Sequence, residues 1–137
     1  MSRFLQAQIS LIAAIITFAL GGCTFIIKAL LAIMALDYLS GVISAAYHGK
    51  LSSNIGVKGI SKKLLIIILV SVAHLIDGIL GLEFLVRNTV IYFYMSNEVI
   101  SILENSIKLG LPVPKILVKI CDEFNDNNLF NTIHKNK

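Results

Sequence analysis

The 137-residue sequence has few charged residues and few cysteines, and each shortage excludes classes of protein. Charged residues make up 15% of the chain and hydrophobic residues 56%, and the mean hydropathy is +0.83. A soluble domain of this length could not bury so much apolar surface, so the composition predicts an integral membrane protein. The two cysteines, Cys23 and Cys121, are too far apart in sequence to form a disulfide framework or a CxxC metal motif.

Motifs for catalysis and cofactor binding are also missing. The sequence contains no Ser/His/Asp arrangement that can be recognised, no Walker, Rossmann or HExxH motif, and its three histidines are scattered. We therefore expect no enzyme, no cofactor and no metal site. The net charge of +4 could suggest nucleic-acid binding. Its lysines, however, gather in predicted loops and the tail and do not form a face with aromatic residues, so no nucleic-acid partner is expected.

Long apolar runs dominate what is present. Four segments, at about 4–20, 25–47, 64–85 and 89–109, predict an all-α integral membrane protein with three to four transmembrane helices. The last three are long enough, at about 1.5 Å per residue, to cross a hydrocarbon core of roughly 30 Å. Polar residues interrupt the first segment, which could span the membrane, lie on it, or act as a signal peptide. Leu20 to Cys23 even resembles a lipoprotein cleavage box.

Charge and turn residues predict how the chain is oriented. The stretch 48–63 is rich in glycine and serine and carries Lys50, Lys58, Lys62 and Lys63 without an acid, so we interpret it as a cytoplasmic loop. Pro112 and Pro114 end the fourth segment. The chain therefore divides into a transmembrane domain, 1–113, and a cytoplasmic tail, 114–137. The tail begins with a short amphipathic helix whose predicted apolar face comprises Ile116, Leu117, Ile120, Cys121 and Phe124.

Polar residues inside the predicted spans are the candidate functional residues. A charged side chain at the bilayer centre costs about 2.5–3.5 kcal/mol on insertion scales, so such groups should face protein or water. Three acids on three helices, Asp37, Asp77 and Glu98, are expected in one layer, about 15–20 Å from the cytoplasmic helix ends. Together with their polar neighbours they would either pack the monomer or line a pore in a homo-oligomer; the candidates are Asp37, Gly41, Ser44, His74, Asp77, Asn97, Glu98, Ser101 and Glu104.

Several short motifs, in this order, resemble one known family. It comprises the small phage holins of Gram-positive bacteria grouped as toxin-secretion/phage-lysis holins, with the related clostridial toxin-release proteins. No single motif is specific, but the ordered set is. The motifs are Lys28-Ala-Leu-Leu, Leu36-Asp37-Tyr38-Leu39-Ser40-Gly41, Lys50-Leu51-Ser52-Ser53, Gly56-Val57-Lys58-Gly59-Ile60, Lys62-Lys63, His74-Leu75-Ile76-Asp77, Asn97-Glu98, Ser101-Ile102-Leu103-Glu104-Asn105 and Gly110-Leu111-Pro112-Val113-Pro114.

The resemblance implies a multi-pass protein of the bacterial cytoplasmic membrane with a cytoplasmic C-terminus. Its subunits would assemble with one another among the membrane lipids and open lesions. An endolysin or a toxin without a signal peptide would leave through these lesions without binding stably to the protein. The alternatives are an antiholin of the same family, a small ion channel or transporter subunit, and a membrane scaffold.

Overall fold

The computed structural model describes residues 3–119, and the regular secondary structure of this part of the chain is helical. Four helices follow one another: α1 (Arg3–Ala19), α2 (Phe25–Tyr47), α3 (Ser53–Leu80) and α4 (Leu85–Lys108). The predicted all-α class is confirmed, and α1 and α2 have nearly the predicted bounds. Residues 115–119 are helical as well, where the amphipathic tail helix was expected. Its predicted apolar residues Ile120, Cys121 and Phe124 lie outside the described residues.

The prediction of a loop over 48–63 is wrong in its extent, because α3 begins at Ser53 and places Lys58, Lys62 and Lys63 on a helix. The glycines of this stretch allow a close approach between helices. A Cβ atom on Gly56 would lie 3.3 Å from Tyr38 Oη, and one on Gly59 would lie 3.5 Å from the Tyr38 ring. Tyr38 of α2 therefore packs against α3 at Gly56 and Gly59, which have no side chains. Glycine is tolerated within the helix there because it permits this close contact.

The turn between α3 and α4 is also displaced from its predicted position. Helix α3 ends at Leu80, and α4 begins at Leu85, so Arg87 and Asn88 belong to the first turn of a helix. The turn was expected at Glu83, Arg87 and Asn88 because they are polar. Glu83 does lie in the turn, where it and Phe84, with φ of 39° and 69°, make the reversal. Left-handed φ values are unusual for residues other than glycine.

A common capping motif ends all four helices. In each, a glycine with positive φ lies one or two positions after the last helical residue, and the residue after it donates its N–H to a carbonyl five positions back, as in a Schellman motif. The carbonyls at the helix ends are thereby satisfied by the backbone. The four glycines are Gly21, Gly49, Gly81 and Gly110.

The helices pack with an apolar core but leave most of their apolar surface exposed. Helices α2 and α4 form the most extensive interface, α3 packs on α4, and α1 touches α3. Leu30, Val70 and Ile91 are the largest fully buried side chains. Among the described side chains, four polar or charged residues are buried, whereas large apolar side chains of every helix are exposed. Apolar exposure combined with buried charge is the arrangement expected of a protein surrounded by lipid.

Within residues 3–119, two helices are long and apolar enough to cross a membrane by length and composition, namely Phe25–Tyr47 and Gly56–Leu80. Few residues of either are buried within the bundle, unlike the core helices of a soluble protein. Helix α1 is apolar but has 17 residues. Helix α4 is about 36 Å long, given 24 residues at 1.5 Å each, but is more polar. Three or four spans and a cytoplasmic C-terminus therefore stay predictions.

Packing at the core of the bundle can be tested with two isoleucines. We expect Ile91→Ala to lower the free energy of unfolding in detergent by about 2 kcal/mol or more, because the Ile91 side chain is fully buried. Ile79 is 82% exposed, so Ile79→Ala should have little effect. Thermal unfolding followed by circular dichroism measures both. Equal losses in the two variants would contradict this packing.

Candidate functional site

A lysine bound by two acids joins three helices inside the bundle. Lys63 Nζ of α3 donates to Asp37 Oδ2 of α2 at 2.8 Å and to Glu98 Oε2 of α4. The three side chains are 85% or more shielded, with exposures of 15% for Lys63, 15% for Asp37 and 11% for Glu98. We call Asp37, Lys63 and Glu98 the lysine cluster. It provides a polar tie between α2 and α3, which otherwise touch little.

The charges of the lysine cluster are mutually dependent. One ammonium serves two carboxylates, so removal of the ammonium would leave two shielded like charges facing each other. A buried ion pair adds little stability compared with an apolar replacement, but breaking it by removing one partner costs about 3–5 kcal/mol. The cluster therefore favours one specific arrangement of α2, α3 and α4, and any separation of these helices requires water or another partner to replace the lost contacts.

A polar cavity of about 440 Å³ adjoins the lysine cluster. Its polar lining includes Asn97, Ser101 and Asn105 of α4 in addition to the cluster. Asp37 Oδ1 is buried and has no hydrogen-bond partner among the described residues. A cavity of this size with several polar groups can hold ordered water, which would satisfy that oxygen.

The polar lining continues along α2 and α4 toward the ends of both helices. A second cavity of about 400 Å³ shares Gly41 and Asn105 with the first and extends to His48 and Lys108. Between them, Asn105 Nδ2 donates to Ser40 Oγ at 2.9 Å. We call this continuous strip of polar contacts and cavities between the two helices the α2–α4 seam.

A buried arginine organises the opposite end of the bundle. Arg87 is 2% exposed, and its NH1 group donates to the carbonyls of Leu20 and Gly21 at 3.1 and 2.9 Å. Its Nε and NH2 groups donate to Asn88 Oδ1 at 3.2 and 3.1 Å. The guanidinium carbon lies 4.2 Å from the centre of the Phe84 ring, a cation–π contact. Arg87 thus ties the end of α1 to the start of α4.

Asp77 completes this second group, the arginine cluster of His74, Asp77, Phe84 and Arg87. Its carboxylate accepts the backbone N–H groups of Val86 and Arg87, both at 2.8 Å. These N–H groups belong to the first turn of α4, where backbone donors are free and the helix dipole favours a negative charge. His74 stacks on Phe84 with ring centres 5.6 Å apart. The Phe84 ring is thus in contact with both the His74 ring and the Arg87 guanidinium.

The structure brings together some of the predicted site residues and separates others. Asp37 and Glu98 share Lys63, and Gly41, Ser44, Asn97 and Ser101 line the α2–α4 seam. The expected layer of three acids is wrong for Asp77, because α3 ends at Leu80 and Asp77 lies in its last turn, where it caps α4. Whether these residues line a pore stays a prediction.

Two other predicted residues lie outside the lysine cluster. His74 belongs to the arginine cluster, and its Nδ1 is buried with no hydrogen-bond partner among the described residues. Glu104 lies on α4 and is absent from the described linings of the two cavities.

Three residues important for the site were missed in the sequence. Lys63 was assigned to a loop, Arg87 to a turn, and Asn105 was not singled out. A detectable signal existed for Asn105, since it follows Asn97 and Ser101 at helical spacing on the polar face of α4. Lys63 and Arg87 would have required the correct bounds of α3 and α4.

The bundle and its buried ionic clusters define the class of protein. Several charged side chains are buried, many large apolar side chains are exposed, and two of the described helices are suited to cross a bilayer. This is the arrangement of an α-helical membrane protein. The sequence matches the bacteriophage holin family over residues 14–126. The chain therefore belongs to the bacteriophage holin family, which confirms the resemblance found in its motifs. This is not a family of enzymes.

Relatives occur in several bacteria. The chain is 46% identical to the uncharacterized protein Lmo0128 of Listeria monocytogenes, covering 76% of this chain and 74% of that protein. It is 39% identical to the uncharacterized protein CPE0383 of Clostridium perfringens, covering 85% and 87%. It is 37% identical to the uncharacterized protein BH0965 of Halalkalibacterium halodurans, covering 85% and 90%. No solved structure matches the chain.

The lysine cluster predicts that removing one of its charges destabilises the protein more than removing all three. We expect Lys63→Met to lower the free energy of unfolding in detergent by about 3 kcal/mol, because two shielded carboxylates lose their common partner. The variant Asp37→Asn/Lys63→Met/Glu98→Gln, which has no charge in the cluster, should recover most of that loss. Denaturation of the purified protein by sodium dodecyl sulfate measures both.

Lys58→Met provides the matched control, since Lys58 lies on the same helix and is exposed. It should change the free energy of unfolding by less than about 0.5 kcal/mol. An equal loss for Lys58→Met and Lys63→Met would contradict a specific role for the lysine cluster.

The arginine cluster predicts how firmly α1 is held. Arg87→Lys keeps the charge but loses the planar group that reaches two carbonyls. We expect amide hydrogen exchange in residues 17–22 to become about tenfold faster, because a hydrogen bond to a charged group contributes about 1.5 kcal/mol. Exchange in residues 105–111 should not change.

Arg3→Lys, on the exposed side of α1, is the conservative control and should leave both regions unaffected. Unchanged exchange in residues 17–22 of Arg87→Lys would show that α1 does not depend on Arg87.

Proposed function

We propose that this holin-like membrane protein assembles with copies of itself in the bacterial cytoplasmic membrane and forms lesions. An endolysin or a toxin without a signal peptide leaves the cell through them. The observation that carries the proposal is the lysine cluster and its seam, enclosed by helices whose outer surfaces are apolar, in a chain that belongs to the bacteriophage holin family.

The size of the cavities requires assembly. The larger of the two seam cavities, about 440 Å³, is suited to water and small solutes and cannot pass a folded enzyme. A lumen wide enough for an enzyme must be enclosed by several subunits. The exposed apolar surfaces of the helices suit a subunit that is dispersed in lipid before assembly.

Polar residues of the seam supply the lining that such a lumen needs. In the single bundle they face each other across α2 and α4. If these helices separate during assembly, Asp37, Asn97, Glu98 and Ser101 become available to water, and the energetic cost of burying them is relieved. In this mechanism the lysine cluster keeps the unassembled subunit closed.

Controlled expression in a bacterium tests the function. A holin should stop growth abruptly after a delay, collapse the membrane potential, and release a co-expressed enzyme that degrades the cell wall. An ion channel would collapse the potential but retain the enzyme. An antiholin or scaffold would do neither when expressed alone. Retention of the enzyme at full expression in the membrane would overturn the proposal.

The role of the lysine cluster in assembly predicts a shift in timing. Asp37→Asn and Glu98→Gln should each insert normally and bring the onset of lysis forward, because each weakens the contacts that keep α2, α3 and α4 together. Glu83→Gln is the matched control, since Glu83 is exposed in the α3–α4 turn. Onset times are compared at equal amounts of membrane protein. An unchanged onset in both cluster variants would show that opening of the seam does not limit assembly.

A further inference from the structure

We propose that each subunit has a binding site for the headgroup of an anionic phospholipid, at the end of the bundle where α2 and α4 terminate. The site is the second seam cavity, of about 400 Å³. Its polar lining consists of Ser44, His48, Lys50, Asn105 and Lys108, and no acidic side chain is among its described lining residues. A phosphodiester carries the negative charge that this lining would attract.

The two lysine side chains are not engaged in capping the helices beside them. At the end of α2, the backbone N–H of Lys50 donates to Ala45 O at 2.9 Å, and at the end of α4 that of Leu111 donates to Ser106 O at 3.1 Å. Backbone groups therefore satisfy these carbonyls. Neither the Lys50 nor the Lys108 ammonium forms a salt bridge with another residue of the described range 3–119.

The balance of charge at the cavity favours an anion. Two helix C-termini lie beside it, each equivalent to about half a negative elementary charge, and they alone would repel a phosphate. The two ammonium groups outweigh them and leave a net charge of about +1. His48 Nδ1 donates to Ser44 O at 2.8 Å, and Asn105 Nδ2 donates to Ser40 Oγ at 2.9 Å. These bonds orient both side chains at the cavity.

The surroundings of the cavity indicate a lipid headgroup in preference to free phosphate. Apolar side chains next to its lining residues are exposed: Ile43 and Tyr47 on α2, and Ile107 on α4. A ligand with a charged head and apolar chains could contact both surfaces at once. Basic pockets between transmembrane helices on the cytoplasmic side are known to bind anionic headgroups. The inference depends on the chain lying in a membrane and does not depend on lesion formation.

Native mass spectrometry of the full chain in neutral detergent tests the site, with phosphatidylglycerol and phosphatidylcholine as the probes. The wild type should bind phosphatidylglycerol preferentially. Lys50→Gln/Lys108→Gln should bind it about tenfold or more weakly, because each lysine near an anionic lipid surface contributes roughly a fivefold factor. Lys58→Gln/Lys115→Gln removes two exposed charges outside the cavity and should weaken binding less than twofold.

Two further measurements make the test decisive. Lys50→Arg/Lys108→Arg should retain binding, which separates loss of charge from loss of fold, and circular dichroism confirms that each variant is helical. Excess inorganic phosphate should not displace the lipid; if it binds as tightly, the cavity takes a free anion and the proposal fails. An equal loss in both glutamine pairs would show diffuse attraction and would also overturn it. Lysis assays play no part in this test, so its failure is distinct from failure of the proposed function.

Discussion

The sharing of one ammonium by two carboxylates is the constraint on which the arrangement of α2, α3 and α4 depends. Helices in lipid gain little from burying apolar surface against one another, because the lipid is equally apolar. Polar contacts and close packing must then specify the fold. Lys63 provides such a contact to two helices at once, and Tyr38 packed on Gly56 and Gly59 provides close approach beside it.

Helix α4 links the two ionic clusters and is therefore central to the bundle. Its first turn carries Arg87 and is capped by Asp77, whereas Glu98, further along, reaches Lys63. Its greater polarity follows from this position, since it supplies charged or amide groups to both clusters and to the α2–α4 seam. Helix α1 is different, because it contributes no buried residue and is held through carbonyls at its end. These differences suggest a division between a closed three-helix unit and a more loosely attached first helix.

Sequence patterns predicted the parts of the fold that depend on local chemistry. The bounds of α2 could be predicted because a predominantly apolar run lies between Gly22 and Gly49. The start of α3 could not, because Gly56 and Gly59 break helices on average, and only the position of Tyr38 shows why they occur within one here. The sequence did predict that Asp37 and Glu98 lie at a similar depth in the membrane. Their common partner, Lys63, could not be predicted because its position depends on how α3 packs. Asp77 was misplaced because the end of α3 was also predicted incorrectly.

The position of the α2–α4 seam explains how one sequence would suit both a closed bundle in lipid and a water-filled lesion. In the proposed mechanism, the unassembled bundle must satisfy most polar groups of the seam, and Lys63, Ser40 and Asn105 supply internal hydrogen bonds there. In a water-filled lesion the same groups would be hydrated, so separation of α2 from α4 would exchange internal bonds for bonds to water at a modest net cost. The apolar outer surfaces need not change at all. Under the proposed mechanism, a chain that encloses its polar lining in this way would accumulate in lipid as a closed subunit and already contain the polar residues that line the open assembly.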